Sequence, residues 1–208
     1  MARKAKIARK TKETDITVEV NLDGSGRADV KTPLPFFDHM LSNMARHGLL
    51  DLKVRAKGDI EVDFHHTVED VGITLGEAVK KALGKNAGIR RCASATVPMM
   101  DSLSTVVLDA SNRPYFKFNQ TKASFAVSGV YSSVKGHTVE KTFDIGLMKE
   151  FMKALSNSAG LDLHITLHYG EDIHHAIESV YKALGRALGA AIAIDPRIKG
   201  VLSTKGKL

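Results

Sequence analysis

Residues 50–54, LDLKV, recur 111 residues later as LDLHI at residues 161–165. Each copy is followed by a turn and then by two histidines and a glutamate, HHTVE at residues 65–69 and HHAIE at residues 174–178. The same order of strand, turn and His-His-x-x-Glu motif in two places is the signature of an internal repeat. The sequence therefore predicts a fold built from two copies of one unit.

Hydrophobic periodicity around the two copies predicts the same elements in the same order. The first unit has a strand, a turn with a hairpin partner, a helix, a strand and a helix, at residues 15–22, 23–31, 34–47, 51–56 and 65–83. The second has strand-like runs, a turn, a helix capped by Asp144, a strand and a helix, at 93–118 and 124–143, 111–114, 144–159, 162–168 and 173–193. We predict an α+β fold of two fused sheet-plus-two-helix units, residues 1–92 and 93–208.

The composition places the chain among globular proteins without disulfides. Of its 208 residues, 43% are hydrophobic, which is enough for a buried core. A single cysteine, Cys92, excludes an internal disulfide and a cysteine-based zinc cage. No apolar run reaches the ~18 residues of a spanning helix, and the basic start lacks the apolar block of a secretory signal. We therefore expect a cytoplasmic protein with no membrane partner.

The net charge of +7 is concentrated at the two ends of the chain. Residues 1–12 and 196–208 hold ten of the 30 Lys and Arg residues and none of the 23 Asp and Glu residues, so the remaining chain is mildly acidic. Basic ends can bind nucleic acid, reach an anionic ligand or be solvated. The absence of Trp and the presence of only four Tyr argue against base stacking. We expect no nucleic-acid partner, and we interpret residues 1–6 as solvated charge.

The repeated His-His-x-x-Glu motif has the spacing of a metal site. Residues four apart lie on one face of a helix, so His65 and Glu69 can bind one ion, whereas His66 is rotated away from them and can serve another. The second motif offers His174 with Glu178, and His175, in the same way. His39 and Glu150 occupy matching positions on the two first helices.

A reciprocal arrangement uses all of these residues. It predicts one site of His39, His66, His174 and Glu178 and a second site of His65, Glu69, His175 and Glu150. Imidazole and carboxylate ligands without sulfur suit Mn²⁺ or Fe²⁺. His137 and His168 lie outside the pattern, and we expect them to be surface or packing residues. His164 aligns with Lys53, which argues against a repeat-wide role.

Longer motifs identify a family that the chain resembles. They are FFDHML at 36–41, HG at 47–48, DFHHTVED at 63–70, SNRP at 111–114, HHAIE at 174–178 and STKG at 203–206. In this order they resemble imidazoleglycerol-phosphate dehydratase. The resemblance implies a hydro-lyase of histidine biosynthesis that uses two Mn²⁺ ions per active site. It also implies a fold of the ribosomal protein S5 domain 2-like type.

The reaction implied by the resemblance converts D-erythro-imidazole glycerol phosphate to imidazole acetol phosphate through a metal-stabilised imidazolate. Glu13 matches the family's acid/base glutamate. Residues expected to bind the phosphomonoester substrate follow from the same matching: His47, Arg91, Arg113, Lys182, Ser203, Thr204 and Lys205. Met100 stands where the family commonly has an acid, and some members have histidine at the position of Glu150.

The resemblance further implies a large homo-oligomer of cubic symmetry, with metal sites at subunit contacts. Two other functions share some of these features. A dinuclear metal-dependent phosphoester hydrolase would use the same metals and cations but would release phosphate. A basic nucleic-acid-binding module with structural metals would show binding that depends steeply on salt.

Overall fold

The computed structural model describes residues 3–125, 129–131 and 142–206. The first half contains four strands and two helices: β1 (Lys4–Lys10), β2 (Thr14–Asn21), β3 (Ala28–Lys31), α1 (Pro35–Gly48), β4 (Asp51–Gly58) and α2 (His65–Leu83). The second half contains β5 (Cys92–Met99), β6 (Ser102–Asp109), β7 (Tyr115–Ala123), β8 (Val130–Tyr131), β9 (Thr142–Phe143), α3 (Ile145–Ala159), β10 (Asp162–Gly170) and α4 (Ile173–Ile192).

The two four-stranded sheets have the same topology, β1-β2-β4-β3 and β5-β6-β10-β7. In each sheet the first two strands form an antiparallel pair, and the second strand also pairs antiparallel with the fourth. The third strand lies parallel to the fourth because a helix connects them. The predicted α+β fold of two sheet-plus-two-helix copies is thereby confirmed. β8 and β9, which follow β7 and precede α3 in the chain, form a separate two-stranded sheet.

The predicted hairpin partner of β2 is wrong. Residues 27–31 were expected to pair with the strand at 15–22, but β3 pairs parallel with β4, with Ala28 opposite Leu52. The reason is that β2 has β1 on one side and β4 on the other, so neither of its edges is open to β3. Of the strand-rich prediction at 124–143, residues 126–128 and 132–141 lie outside the described residues.

Residues 1–6 were expected to be solvated charge, but the structure places a strand at Lys4–Lys10, in which Lys4 and Lys6 are exposed; residues 1 and 2 lie outside the described residues. β1 covers Lys4–Lys10, and its Ala5 and Ile7 pack against the hydrophobic core while the lysines and arginines alternate outward. Arg3, whose side chain is only 16% exposed, pairs with Asp23 and donates a hydrogen bond to the backbone oxygen of Ile192. The alternating Lys and Ala residues hid this strand, because few of its inward positions carry large apolar side chains.

Several helix ends show recognisable start and stop signals. Pro35 opens α1, and the Asp144 carboxylate accepts a hydrogen bond from the backbone N–H of Leu147 at the start of α3. α3 ends at Gly160 in the left-handed conformation. Among the described helices, none combines the length and the apolar character needed to span a membrane.

Helices of opposite halves pack directly against each other. α1 contacts α4 and α2 contacts α3, while each helix also covers a face of its own sheet. Both contacts are close because glycine allows backbone to approach backbone. A Cβ atom placed on Gly185 would lie 2.3 Å from the carbonyl oxygen of Met44, and one placed on Gly76 would lie 2.9 Å from that of Leu155. The two halves therefore form one core.

Replacing Gly185 with alanine should lower the free energy of unfolding by about 1–3 kcal/mol, because the methyl group would force α1 and α4 apart. Urea unfolding measures this change. Gly146→Ala is the matched control, since that glycine is exposed and its Cβ would meet no backbone atom, only the Asp144 side chain at 3.0 Å. The control should be neutral or stabilising by up to about 1 kcal/mol. Equal stability of the two variants would contradict the close-contact account.

Candidate functional site

The contact between α1 and α4 brings three candidate ligands together. His39 on α1 places its Nε2 atom 3.3 Å from Oε2 of Glu178, and His174, one turn before Glu178 on α4, places its Nε2 atom 3.1 Å from the same oxygen. The three side chains offer ligand atoms that all lie within 4.8 Å of one another. We call His39, His174 and Glu178 the first ligand group.

Glu178 is held in its charged form although its residue is only 5% exposed. Burial alone raises the pKa of a carboxyl group, but the ammonium group of Lys182, 2.5 Å from Oε1, and the two histidine rings lower the pKa of Glu178 below its ordinary value. A buried carboxylate surrounded by donors is a group that a cation can also satisfy. Lys182, expected to bind substrate, therefore lies at the first ligand group.

The contact between α2 and α3 builds a second ligand group of His65, Glu69 and Glu150, which also lie within 4.8 Å of one another. His65 Nε2 is 3.4 Å from Glu69 Oε2, as the spacing of four residues on a helix predicts. His65 and Glu150 line a cavity of about 450 Å³. The two groups are reciprocal, since each takes ligands from both halves of the chain.

His66 and His175 belong to neither group within the described chain. Each ring is instead held at Nδ1 by an aspartate that the sequence reading missed. His66 Nδ1 lies 3.1 Å from Asp59, and His175 Nδ1 lies 2.5 Å from Asp101. The structure thus brings together three of the four residues predicted for each metal site.

The contacts of these two pairs shift the pKa of one member of each, upward for His66 and downward for Asp101. The Asp59 carboxylate, more than any other group, raises the pKa of His66. Two backbone N–H groups, from Asp172 and Glu171, and the His175 ring hold the pKa of Asp101 well below its usual range. Both aspartates are therefore fixed acceptors beside a histidine ring.

Glu13 lies in the turn between β1 and β2, beside the start of α2. Its carboxylate is 3.8 Å from His66 Nδ1, and its carbonyl oxygen accepts a hydrogen bond from the backbone N–H of Asp59. Arg9 and Thr14 on the flanking strands both bond the buried carboxylate of Asp70 on α2, at 2.9 and 2.5 Å. This clasp fixes the turn that carries Glu13 against the helix that carries His65 and His66.

Most residues expected to bind phosphate line one cavity of about 1030 Å³. They are Arg91, Arg113, Ser203, Thr204 and Lys205, and the cavity also includes Arg197 and Lys199, which the sequence reading did not single out. The signal that the sequence offered for Arg197 and Lys199 was their position in the basic C-terminal segment, residues 196–208. The concentration of cations and hydroxyl groups suits an anionic ligand such as a phosphate.

Arg91 is committed mainly to the cavity wall. Its guanidinium donates two hydrogen bonds to the Asp109 carboxylate, at 2.6 and 2.7 Å, and one to the carbonyl oxygen of Leu202 at 2.7 Å. Asp109 is the main reason that the pKa of Arg91 is raised above its ordinary value. Arg91 therefore ties the C-terminal segment to the second sheet, and Arg113 and Lys205 remain the freer cations.

His47 lies apart from these groups, in a cavity of about 730 Å³ that also includes Arg3 and Arg186. Burial, followed by the charges of Lys182 and Arg186, lowers the pKa of His47 below its ordinary value. The ring is therefore more readily neutral than a free imidazole. His47 stays a predicted substrate contact.

Other histidines serve local contacts. His164 bonds Asp162 within β10, and His168 bonds the Thr105 hydroxyl across the sheet at 2.8 Å. His137 lies outside the described residues. Within the described residues, both ligand groups consist only of residues that the sequence predicted as metal ligands.

The arrangement can hold divalent cations and bind an anion. The first group offers two imidazole nitrogens and one carboxylate, and the second offers one imidazole nitrogen and two carboxylates. Three protein ligands each, with no sulfur, leave coordination positions open for other ligands.

Comparisons with known proteins show which family has sequences similar to that of this chain. A sequence model of imidazoleglycerol-phosphate dehydratase matches residues 32–188. The imidazoleglycerol-phosphate dehydratase of Geobacillus thermodenitrificans is 50% identical over 208 residues, covering 100% of each chain. That of Clostridium botulinum is 51% identical, covering 98% of this chain and 97% of its own.

Solved structures agree with the sequence relatives. The fold is similar to that of imidazoleglycerol-phosphate dehydratase from Staphylococcus aureus, with a TM-score of 0.74 and 31% identity over 92% of this chain and 99% of that one. The enzyme from Pyrococcus furiosus in complex with (S)-C348 gives a TM-score of 0.74 and 35% identity over 97% and 100%. The chain belongs to the imidazoleglycerol-phosphate dehydratase family.

Proposed function

We propose that this protein dehydrates D-erythro-imidazole glycerol phosphate to imidazole acetol phosphate in histidine biosynthesis and that it needs Mn²⁺. The observation that carries the proposal is the pair of reciprocal ligand groups, assembled from both halves of a chain that belongs to this family. The cation-lined cavity supplies a binding place for the phosphate of such a substrate. The cytoplasmic location expected from the sequence stays a prediction.

The residues that would hold the metal ions are those of the two ligand groups, with His66 and His175 as further ligands. The donor chemistry fits, because each group combines imidazole and carboxylate and because Glu178 keeps its negative charge while buried. Bound there, Mn²⁺ would act as a Lewis acid that stabilises negative charge developing on the substrate's imidazole ring.

Glu13 would move the protons of the reaction. The proton on the carbon beside the imidazole ring must be removed, and the departing hydroxyl group needs a proton donor, which one carboxyl group can supply in turn. Glu13 sits in a turn fixed by the Arg9–Asp70–Thr14 clasp and lies 3.8 Å from the His66 ring. The backbone that carries Glu13 is therefore held in place, while its half-exposed carboxyl group is accessible.

Arg113 and Lys205 would bind the substrate phosphate, assisted by the hydroxyl groups of Ser203 and Thr204. Charge-assisted hydrogen bonds from guanidinium and ammonium groups suit a phosphomonoester. Arg91 would shape the cavity, since its guanidinium bonds the Leu202 carbonyl oxygen through one N–H group and the Asp109 carboxylate through two others.

We also propose that His66 and His175 complete metal sites with neighbouring chains in a large homo-oligomer of cubic symmetry. Both side chains are part-exposed, at 33% and 23%. Neither belongs to a ligand group within its own chain, although each would be the fourth member of a reciprocal set. Neighbouring subunits could supply the missing partners.

Mn²⁺ should restore dehydration to metal-stripped protein supplied with imidazole glycerol phosphate. The measurement follows the keto product with and without the metal ion. Release of inorganic phosphate instead of the keto product would show a dinuclear phosphoester hydrolase and would overturn the proposal. Salt-sensitive binding of nucleic acid without turnover would favour the nucleic-acid-binding module. Ion pairs argue against that function, because four N-terminal cations pair with acidic residues of the same chain: Arg3, Lys6, Arg9 and Lys10.

Glu13→Gln should lower kcat by about 10²–10⁴ while leaving the Mn²⁺ content unchanged, because the amide keeps the shape but cannot exchange protons. Steady-state kinetics and metal analysis on the same sample measure both effects. Glu77→Gln, at an exposed position of α2, is the matched control and should have wild-type activity. Loss of metal together with activity in Glu13→Gln would refute the acid/base role.

Arg113→Gln should raise KM by about 10–100-fold with a smaller effect on kcat, because one charge-assisted hydrogen bond to the phosphate is lost. Substrate titrations under Mn²⁺-saturated conditions give both constants. Arg55→Gln removes a guanidinium that pairs with Asp29 away from the cavity and should leave KM unchanged. A KM equal to that of the wild type in Arg113→Gln would exclude this arginine from the phosphate site.

A further inference from the structure

Two aspartates distant in sequence contact two histidines in the same manner. Asp101, in the turn between β5 and β6, bonds His175 Nδ1 at the start of α4. Asp59, after β4, bonds His66 Nδ1 at the start of α2. In both pairs the carboxylate meets the ring nitrogen nearer the backbone, which leaves Nε2 on the opposite side of the ring.

The second oxygen of Asp101 has its own partners. Oδ2 accepts hydrogen bonds from the backbone N–H groups of Glu171 and Asp172, at 2.7 and 2.9 Å. These two donors fix the carboxylate in the plane where Oδ1 faces His175. Since an ionised carboxylate can only accept, the Nδ1 atom of His175 must carry a proton.

Asp59 is fixed from its backbone. Its N–H group donates to the carbonyl oxygen of Glu13 at 3.1 Å, and both of its carboxylate oxygens lie 3.1–3.2 Å from His66 Nδ1. The same contact therefore links the ring of His66 to the turn that carries Glu13. By the same reasoning as for His175, we assign a proton to Nδ1 of His66.

We propose that Asp59 and Asp101 are positioning residues that fix the tautomers of His66 and His175, so that each ring presents an unprotonated Nε2 atom to a metal ion. The inference rests on the proposed function, because it requires that both histidines bind Mn²⁺. A carboxylate behind a metal-binding imidazole sets the ring orientation and strengthens the ligand, and removal of such a partner typically weakens metal binding 10–100-fold.

This assignment accounts for the residue that departs from the family pattern. Met100 stands where an acid is common, and its side chain is 81% exposed. The carboxylate that bonds the His175 ring belongs to the next residue, Asp101. The turn therefore keeps its orienting acid despite Met100.

Asp101→Asn tests the inference with little change in shape. The amide oxygen can keep the two backbone N–H donors, which turns the amide NH₂ group toward His175. That group donates, so the ring must accept at Nδ1 and carry its proton on Nε2. One class of Mn²⁺ sites should then bind about 10–100-fold more weakly in calorimetric titrations of the full-length, metal-stripped protein.

The tautomer itself is measurable without metal. Solid-state ¹⁵N spectra of histidine-labelled, metal-free protein distinguish a ring protonated at Nδ1 from one protonated at Nε2. One histidine should change from the Nδ1–H form to the Nε2–H form between wild type and Asp101→Asn. An unchanged spectrum would overturn the inference.

Asp172→Asn is the matched control. Asp172 caps the same helix by accepting from the backbone N–H groups of His174 and His175 and touches neither ring. Asparagine caps as well as aspartate does, so this variant removes the same charge at the same helix end and should keep wild-type Mn²⁺ affinity. Equal weakening in both variants would indicate a charge effect and would overturn the inference.

Asp59→Ala gives an independent measurement at the other histidine and should weaken the other class of Mn²⁺ sites. Asp63→Ala is its control, since Asp63 accepts from the backbone N–H of His65 and not from a ring. Wild-type protein that binds no Mn²⁺ would overturn the proposed function together with this inference. Wild-type binding that neither Asp101→Asn nor Asp59→Ala weakens would overturn this inference alone.

Discussion

Backbone contact between helices of opposite halves is the constraint on which both ligand groups depend. Where α1 crosses α4, Gly185 lies against Met44, and where α2 crosses α3, Gly76 lies against Leu155, with no room for a side chain at either point. These crossings place His39 beside Glu178 and bring Glu150 to the start of α2. A helix separation set by larger side chains would part the ligands of each group.

Carboxylates elsewhere in the structure hold in place the groups that would do the chemistry. Asp59 and Asp101 hold histidine rings, Asp109 holds Arg91, and Asp70 holds the turn of Glu13 through Arg9 and Thr14. Each is an acid that would contact neither substrate nor metal. Such fixed partners reduce the reorganisation needed when a ligand binds, since the donors and acceptors already have one orientation.

The internal repeat made most of the fold predictable from the sequence, whereas contacts between residues that are distant in the sequence could not be predicted. The helix at 65–83 was predicted at its observed ends, because hydrophobic periodicity and Gly84 mark it. β1 was missed because Lys4–Lys10 has few large apolar residues, and the pairing of β3 was misassigned because register depends on the whole sheet. Repeat alignment found His39 and Glu150, whereas Asp59 and Asp101 have no local motif that links them to the rings they hold.

Division of each ligand group between the two halves has a consequence for how such a protein can arise. His39 from the first half joins two ligands from the second, and Glu150 from the second joins two from the first. Two separate copies of the unit would assemble these groups only when they met, at a rate and extent limited by their concentration. Fusion into one chain makes the encounter intramolecular, with an effective concentration on the order of millimolar for a short linker. Gene duplication followed by fusion would thus have made the assembly of both ligand groups independent of the protein concentration. Each half could then diverge in sequence while keeping the ligands that it contributes to the two groups.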